Sequence, residues 1–217
     1  MEIVLSYYDC LIRKSDMMTL KNGCWINDTI ISFWIEYLKY KYKNTNFFYF
    51  DPSTVHLLKL CTISEGCNIL KTMSFDLTIN WIILPMNSDV SSDKIGGTHW
   101  FLLIIHVDRK SIDGLYVDSI CSTELNMQQS HKMMLLFSNY FHIQSYSNFL
   151  IVPTAKQANS SDCGVYCMKF IEEVTETIVK NSDEPKSKII SNLSSLSFNP
   201  NEYRKYISFL IMSLGNV

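Results

Sequence analysis

The chain has 217 residues, a length that suits a single domain over residues 1–217. Hydrophobic residues make up 47% of it and aromatic residues 13%, enough to bury a substantial core, which excludes a mainly disordered protein. The net charge is only −2 and no basic stripe is present, so the composition argues against a nucleic-acid-binding module.

Seven cysteines are scattered along the chain, and their odd number does not suit a framework of disulfides. The N-terminal segment MEIVLSYYDC lacks the basic lead-in and the long apolar run of a secretory signal. The longest apolar stretches, such as Trp100 to Ile105, are far shorter than the ~20 residues of a membrane span. We therefore expect reduced thiols, a location in the cytoplasm, the nucleus or both, and no membrane partner.

The first clear helix in chain order follows Trp25. Asn27 or Asp28 is a suitable N-cap, and apolar side chains recur at helical spacing over residues 30–43. Further along, Asp51-Pro52 is a capping residue followed by proline, which predicts a second, short helix.

The middle of the chain changes to short apolar runs bounded by Asn, Asp, Gly and Pro, a pattern typical of buried strands. These predicted strands cover residues 81–86, 100–107, 114–117 and 149–152. A polar loop that ends in the flexible pair Gly96-Gly97 separates the first two of them.

Three more helices are predicted, over residues 124–140, 163–179 and 203–214, and residues 180–188 are predicted to be a solvated connection. Helices, then a cluster of strands, then helices again indicate the α+β class.

Cys163 stands where the polar sequence QANSSD gives way to an amphipathic helix, so its thiol should lie at a helix N-terminus. Unpaired backbone N–H groups and the positive end of the helix dipole stabilise a thiolate in such a place, which makes a thiol nucleophilic. Gly164 would leave the next amide open to a substrate. The alternative is a buried, inert cysteine, which is the default for the other six.

His99 is the candidate base for this thiol, because it follows Gly96-Gly97-Thr98 where a loop enters the strand that begins at Trp100. A side chain there can project into a cleft while the strand holds its backbone. The remaining histidines lie in apolar or helical surroundings, where a packed or surface role is the default. Taken alone, His99 would also more often be structural than catalytic.

Asp118 ends the predicted strand GLYVD and is the candidate third member. A carboxylate beside a catalytic imidazole fixes its tautomer and stabilises the imidazolium. If the strands carrying His99 and Asp118 are antiparallel neighbours joined by a turn at Asp108-Arg109-Lys110, the two side chains emerge near the same sheet edge.

Gln157 lies six residues before Cys163, across a loop. Its side-chain amide could donate to a developing oxyanion beside the backbone N–H of Cys163. A loop glutamine is ordinarily just soluble surface, so this role has weight only together with the other three residues.

The sequences GGTHW, LYVDS and QANSSDCG resemble the His, Asp and Gln/Cys boxes of the Ulp/sentrin-specific cysteine peptidases, which release ubiquitin-like modifiers. LSYYDCLIRKSD and WINDTIISFWIEY are similar to the deneddylase branch of that family. The likeness spans nearly the whole chain and weakens beyond about residue 180.

The resemblance implies a papain-like α+β fold with a central mixed sheet flanked by helices and the permuted catalytic order His, Asp, Cys. His99, Asp118 and Cys163 would then form the triad, and Gln157 would complete the oxyanion hole.

The resemblance also implies substrate-binding roles. Trp25 and Trp100 match two tryptophans that roof a narrow tunnel for the modifier's C-terminal Gly-Gly, whereas core packing is expected for Trp34 and Trp81. Asp28 matches an acidic position that meets a basic residue of the modifier's tail; a competing interpretation is helix capping.

The implied function is a thiol-dependent peptidase and isopeptidase that cleaves after the C-terminal Gly-Gly of a ubiquitin-like modifier, with the neddylation modifier preferred. It would process the modifier's precursor and remove it from lysine conjugates. We expect a monomer without a metal or organic cofactor, and closure of loop 87–97 on the substrate is a further hypothesis. The alternatives are a SUMO- or ubiquitin-specific peptidase of the same fold, an acyltransferase, and a catalytically idle module that binds a ubiquitin-like protein.

Overall fold

The computed structural model describes residues 2–43, 47–91, 97–108, 110–144, 146–180 and 185–215. These residues form eight helices and seven strands, which confirms the α+β class. They divide into two compact units, the first made of residues 1–43 and 153–217 and the second of residues 44–152. That residues 1–217 act as one peptidase domain stays a prediction. None of the helices in the described ranges is long and apolar enough to cross a membrane.

The first unit is mainly helical. It contains an antiparallel strand pair and five described helices: β1 Ile3–Tyr7, β2 Cys10–Arg13, α1 Lys14–Thr19, α2 Asp28–Tyr42, α6 Cys163–Lys180, α7 Pro185–Ser195 and α8 Pro200–Gly215. Helix α2 packs on α6, where Trp34 is fully buried and its indole N–H donates to the carbonyl of Met168 at 3.0 Å. The predicted core role of Trp34 is therefore confirmed.

Of the two candidate caps, Asn27 begins helix α2. Its side-chain oxygen accepts from the backbone N–H of Ile30 at 3.2 Å, a regular N-cap geometry. Asp28 is the first helical residue, so the capping interpretation of Asp28 is wrong. Its negative charge in the first turn still suits the positive end of the helix dipole.

The predicted solvated connection over residues 180–188 is wrong at its second half, because α7 begins at Pro185. Residues 181–184 lie outside the described part of the chain. The first turn of α7 is polar in sequence, so the sequence alone does not indicate a buried face. In the structure the helix packs on α6, and Ile189 and Leu193 are fully buried. Likewise, α8 begins at Pro200 rather than at Tyr203, since proline suits the first helical turn.

The second unit is built on a five-stranded mixed sheet with three helices. Its elements are β3 Phe47–Tyr49, α3 Pro52–Leu60, α4 Ile63–Thr72, β4 Trp81–Asn87, β5 Trp100–Asp108, β6 Ser111–Val117, α5 Glu124–Tyr140 and β7 Asn148–Val152. The strand order is β3-β4-β5-β6-β7; β4, β5 and β6 are antiparallel, and the two edge strands run parallel to their neighbours. All four predicted strands are confirmed. Strand β6 begins at Ser111, earlier than predicted, because it pairs with the end of β5 at Asp108.

The core of the second unit lies where α3, α4 and α5 cover the sheet. Buried aromatic rings, among them Phe50, Phe75 and Phe137, pack edge-on or tilted against one another at centroid distances of 5.3 to 6.0 Å. Trp81 is 4% exposed and packs on the His106 ring, so its predicted core role is confirmed. This packing supports the sheet, so the ends of its inner strands β5 and β6 can hold side chains in place.

Candidate active site

Cys163 is the first residue of α6, as predicted, and its side chain is buried. The backbone N–H of Tyr166 donates to the carbonyl of Asp162 at 2.9 Å, so the helical hydrogen bonds start at the residue before the thiol. The backbone N–H groups of a helix's first turn have no acceptor within the helix, so they can stabilise a negative charge. A thiolate at Cys163 would lie in that favourable field.

Gly164 is explained by protein packing. A Cβ at this position would lie 2.6 Å from the Cβ of Ile26, too close for any larger residue without a shift of one or the other. Ile26 follows Trp25, so this contact packs the segment that carries Trp25 on the first turn of α6. The predicted opening for a substrate is not needed to account for the glycine.

Gln157 lies half-buried in the loop that precedes α6. Its amide Nε2 donates to the carbonyl of Asn159 at 2.5 Å. The side-chain oxygen of Asn159 in turn accepts from the backbone N–H groups of Ser161 and Asp162, each at 3.0 Å. Because an amide nitrogen carries two hydrogens, the bond to Asn159 uses one of them. The role of Gln157 as an oxyanion donor stays a prediction.

His99 and Asp118 form a hydrogen-bonded pair. His99 Nε2 and Asp118 Oδ1 are 2.7 Å apart, and the two side chains are 12% and 3% exposed. The β5–β6 register ends with Leu102 opposite Val117. Asp118 directly follows this last pair and His99 lies three residues before it, so both stand at the same end of the two strands. The predicted antiparallel neighbours and the shared edge are therefore confirmed, while Arg109 of the predicted turn lies outside the described residues.

The Asp118 carboxylate is held by two further donors, neither of which was predicted from the sequence. The backbone N–H of Ile120 donates to Oδ1 at 2.8 Å, and the hydroxyl of Tyr116 donates to Oδ2 at 2.6 Å. Burial, together with this bond and the charge of Asp118, raises the pKa of Tyr116 well above its ordinary value, so the phenol remains a donor. A signal was available, since residues two apart on a strand point to the same face.

These bonds determine which nitrogen of His99 can act as a base. An ionised carboxylate only accepts hydrogen bonds, so Nε2 carries the proton directed at Asp118. Nδ1 then has the lone pair that can take up the proton of a thiol. The buried carboxylate would also stabilise the imidazolium that results.

The predicted tunnel residues have the exposure that such a role requires. Trp25 is 50% exposed, and its indole N–H donates to the carbonyl of Ser160 at 2.9 Å. Trp100 is half-buried at the start of β5, opposite Asn87 of β4. The Asp28 side chain is exposed, and its Oδ1 accepts from the backbone N–H of Thr29 at 2.9 Å. Trp25 and Asp28 are therefore accessible to solvent, whereas Trp34 farther along α2 is buried.

The predicted site residues are distributed over the two units. The first unit contains Trp25, Asp28, Gln157 and Cys163, and the second contains His99, Trp100 and Asp118. Within the units, the structure brings His99 to Asp118 and connects Trp25 with the loop that leads to Cys163. Across the described ranges, no group of three His, Cys, Asp or Glu is arranged to hold a metal ion.

The loop before His99 is fixed at its described end. Gly97 has a φ of +107°, and a Cβ there would lie 1.7 Å from Oδ1 of Asn87, so only glycine fits. Residues 92–96, including Gly96, lie outside the described part of the chain. The predicted closure of loop 87–97 concerns those residues and stays a prediction.

The chain matches, over residues 24–198, the model of the Ulp1 protease family, C-terminal catalytic domain. It is 31% identical to the probable sentrin-specific protease 8 of Dictyostelium discoideum, over 85% of this chain and 79% of that protein. It is 25% identical to the NEDD8-specific protease 1 of Arabidopsis thaliana, over 83% and 80% of the respective chains.

A solved structure shows the same fold. The C-terminal Ulp1 protease domain, determined in complex with Smt3, the yeast ortholog of SUMO, aligns with a TM-score of 0.65 at 20% identity. The alignment covers 98% of this chain and 87% of that one. With the family match over most of the chain and the α+β architecture described above, the chain belongs to the Ulp1 protease family of cysteine peptidases.

Proposed function

We propose that this protein is a cysteine peptidase and isopeptidase that cleaves after the C-terminal Gly-Gly of NEDD8, both in its precursor and in its lysine conjugates. The observation that carries the chemistry is the His99–Asp118 pair, with its 2.7 Å bond and a buried carboxylate held by Tyr116 and Ile120. The preference for NEDD8 is supported by similarity to a relative that is named NEDD8-specific.

In the proposed reaction, His99 Nδ1 takes the proton of Cys163, and the thiolate attacks the carbonyl of the terminal glycine. The backbone N–H of Cys163 and the side-chain amide of Gln157 stabilise the oxyanion. His99 then gives its proton to the leaving amine, which frees a lysine or a C-terminal extension. Water, with His99 as the base, hydrolyses the thioester and releases the modifier.

Selection for glycine follows from flat aromatic surfaces. Trp25 and Trp100 would cover the extended tail of the modifier and exclude any residue with a Cβ. Asp28, exposed at the start of α2, would pair with a basic residue of that tail. Such a surface pair contributes modestly to affinity, so we assign Asp28 to the choice of modifier rather than to the chemical step.

The proposal includes the cellular compartment and the oligomeric state of the enzyme. None of the seven cysteines, all in the described ranges, forms a disulfide, which suits a reducing compartment, and we propose a location in the cytoplasm or the nucleus. It would act as a monomer, with the modifier and its conjugates as partners.

The test is hydrolysis of aminomethylcoumarin derivatives of NEDD8, SUMO and ubiquitin by the purified chain. We expect the NEDD8 derivative to be cleaved most efficiently and the Cys163→Ala variant to be inactive. Cys121→Ala, which removes an exposed thiol, is the matched control and should retain wild-type activity.

Two outcomes would contradict the proposal, and each would indicate a different function. Cleavage of only the SUMO or only the ubiquitin derivative would assign the enzyme to that modifier. Failure to cleave any derivative, with NEDD8 still bound by the wild type and by Cys163→Ala, would indicate a binding module without activity.

A further inference from the structure

One buried arginine connects three segments of the first unit. Arg204, on α8, is 2% exposed, and the five N–H groups of its guanidinium make six contacts with acceptors, one N–H of Nη2 being shared. Two of them go to Oδ1 of Asp162, from Nε at 3.2 Å and from Nη2 at 2.8 Å. The other four go to backbone carbonyls at 2.8 to 3.2 Å, namely those of Thr19, Lys21, Cys24 and Ser161.

Three of the five acceptor residues stand one or two positions before a residue of the proposed site. Cys24 precedes Trp25 in the chain, and Ser161 with Asp162 precedes Cys163. The bond from the Trp25 indole to the carbonyl of Ser160 joins the same two segments a second time. A shift of the guanidinium would therefore move both the nucleophile and the aromatic ring proposed to cover the substrate.

The charge of Arg204 matters as well as its geometry. The Asp162 carboxylate is buried, 5% exposed, beside the residue that we propose becomes a thiolate. Its Oδ2 accepts from the side-chain amide of Asn159 at 2.8 Å, and its Oδ1 faces Arg204. Without the guanidinium, a buried negative charge next to Cys163 would disfavour the thiolate.

We propose that Arg204 is a positioning residue of the peptidase, one that holds the loop before Cys163 and the segment before Trp25 in their working arrangement and neutralises Asp162. This inference rests on the proposed function. It concerns a residue outside the stretch 24–198 that matches the family model.

Arginine suits this task better than lysine does. Its planar guanidinium presents five donors in a fixed fork and stays charged at every accessible pH. A lysine at position 204 would supply a charge but only three donors at a single point, too few for the five acceptor atoms.

The test compares kcat and KM of wild type, Arg204→Met and Arg204→Lys with the NEDD8 derivative, at a temperature where each variant is folded by circular dichroism. We expect kcat to fall about 10²-fold for Arg204→Met, because small displacements of reacting groups cost this much. Arg204→Lys should lose about tenfold, since the charge is kept and the fork is lost. Lys205→Met removes an exposed cation from the same helix and should keep wild-type kcat.

A double variant separates positioning from stability. Asp162→Asn with Arg204→Met removes the buried ion pair and can recover stability, since apolar or neutral replacements of such pairs are often tolerated. It does not restore the bonds to the backbone carbonyls, so kcat should remain low. Recovery of wild-type kcat in the double variant, or a kcat within twofold of wild type in either folded single variant, would overturn the inference.

Labelling of Cys163 by iodoacetamide, followed by peptide mass spectrometry, keeps this test separate from that of the proposed function. The labelling needs no modifier, and we expect it to be about tenfold slower in Arg204→Met than in wild type. If wild type cleaves no modifier, the proposed function fails while the labelling still reports on Arg204. Equal labelling rates would count against Arg204 even if the peptidase activity is confirmed.

Discussion

The helix start that carries Cys163 and the sheet edge that carries His99 and Asp118 are held in place by different means. At the helix start, the buried pair of Arg204 and Asp162 connects segments far apart in the chain. At the sheet edge, the β5–β6 ladder places the histidine and the aspartate, and bonds within a few residues of Asp118 complete the arrangement.

The two regions therefore tolerate different substitutions. A ladder of backbone bonds survives most side-chain substitutions, so the sheet edge should fail only when its polar side chains change. The helix start depends on contacts between segments distant in sequence, among them those of the Arg204 guanidinium, so it should fail when one of these distant residues changes. Substitutions that disrupt one region and spare the other, or that compare the two units, test this difference.

The largest effect is expected at the sheet edge. Asp118→Asn should lower kcat about 10⁴-fold, because the amide favours the wrong tautomer of His99 while the ladder stays intact. Steady-state kinetics measures the loss, and circular dichroism checks the fold. A loss below tenfold in a folded variant would show that Asp118 does not orient the base.

The next effect is expected in the loop before Cys163. Gln157→Ala should lower kcat about 10²–10³-fold, because it removes one donor to the oxyanion. Gln144→Ala, at an exposed position in another loop, is the control and should leave kcat unchanged. If Gln157→Ala raised KM alone, the residue would bind substrate without stabilising the transition state.

Two glycine substitutions, one in each unit, are compared by their effect on stability. Gly97→Ala should cost about 3 kcal/mol of unfolding free energy, because it combines an unfavourable φ with a clash against Asn87. Gly23→Ala in the first unit has a φ of +76° and no atom within 4 Å of the new Cβ, so it should cost only about 1 kcal/mol. Urea unfolding measures both, and equal costs would argue against the Gly97–Asn87 contact.

The smallest effect concerns a second buried basic side chain, which lies in the second unit and should make the stability of the protein depend on pH. Lys59, on α3, is 2% exposed and donates to the carbonyls of Asn87 and Asp89, the latter at 2.7 Å. Burial lowers its pKa to about 8, although the charge of Asp89 opposes this shift.

The sign of the pH effect follows from proton binding. Between about pH 8 and 10.5, folded Lys59 has released its proton while the unfolded chain still holds it. The unfolding free energy of wild type should therefore rise relative to Lys59→Met, by about 1 kcal/mol between pH 8 and 9. Urea unfolding of both proteins across this range measures the difference, and a constant or falling difference would contradict the lowered pKa.

The features that could be predicted from the sequence depend on short-range patterns. The helix start at Cys163 followed from a polar-to-amphipathic change, and the His99–Asp118 pair followed from two strands joined by a short turn. The position of the N-cap at Asn27 was ambiguous by one residue, because Asn and Asp are both favoured at that position.

The features that escaped prediction depend on distant partners. Strand β3 has only three residues and exists through parallel pairing with β4, while Arg204 meets Asp162 from 42 positions away. Helix α7 was missed because its apolar residues are few, and only packing on α6 shows that they are buried. Helix α4 did carry a local signal, the Thr62–Glu65 capping box.

The central claim is that Cys163, activated by the His99–Asp118 pair, attacks the C-terminal glycine of NEDD8. Its most direct test is reaction of the protein with NEDD8 vinyl sulfone, read by intact mass and by mapping the modified peptide. We predict one adduct, located on Cys163, that is absent from Cys163→Ala and greatly slowed in Asp118→Asn. No adduct under conditions where a SUMO or ubiquitin probe reacts, or an adduct on another cysteine, would contradict it.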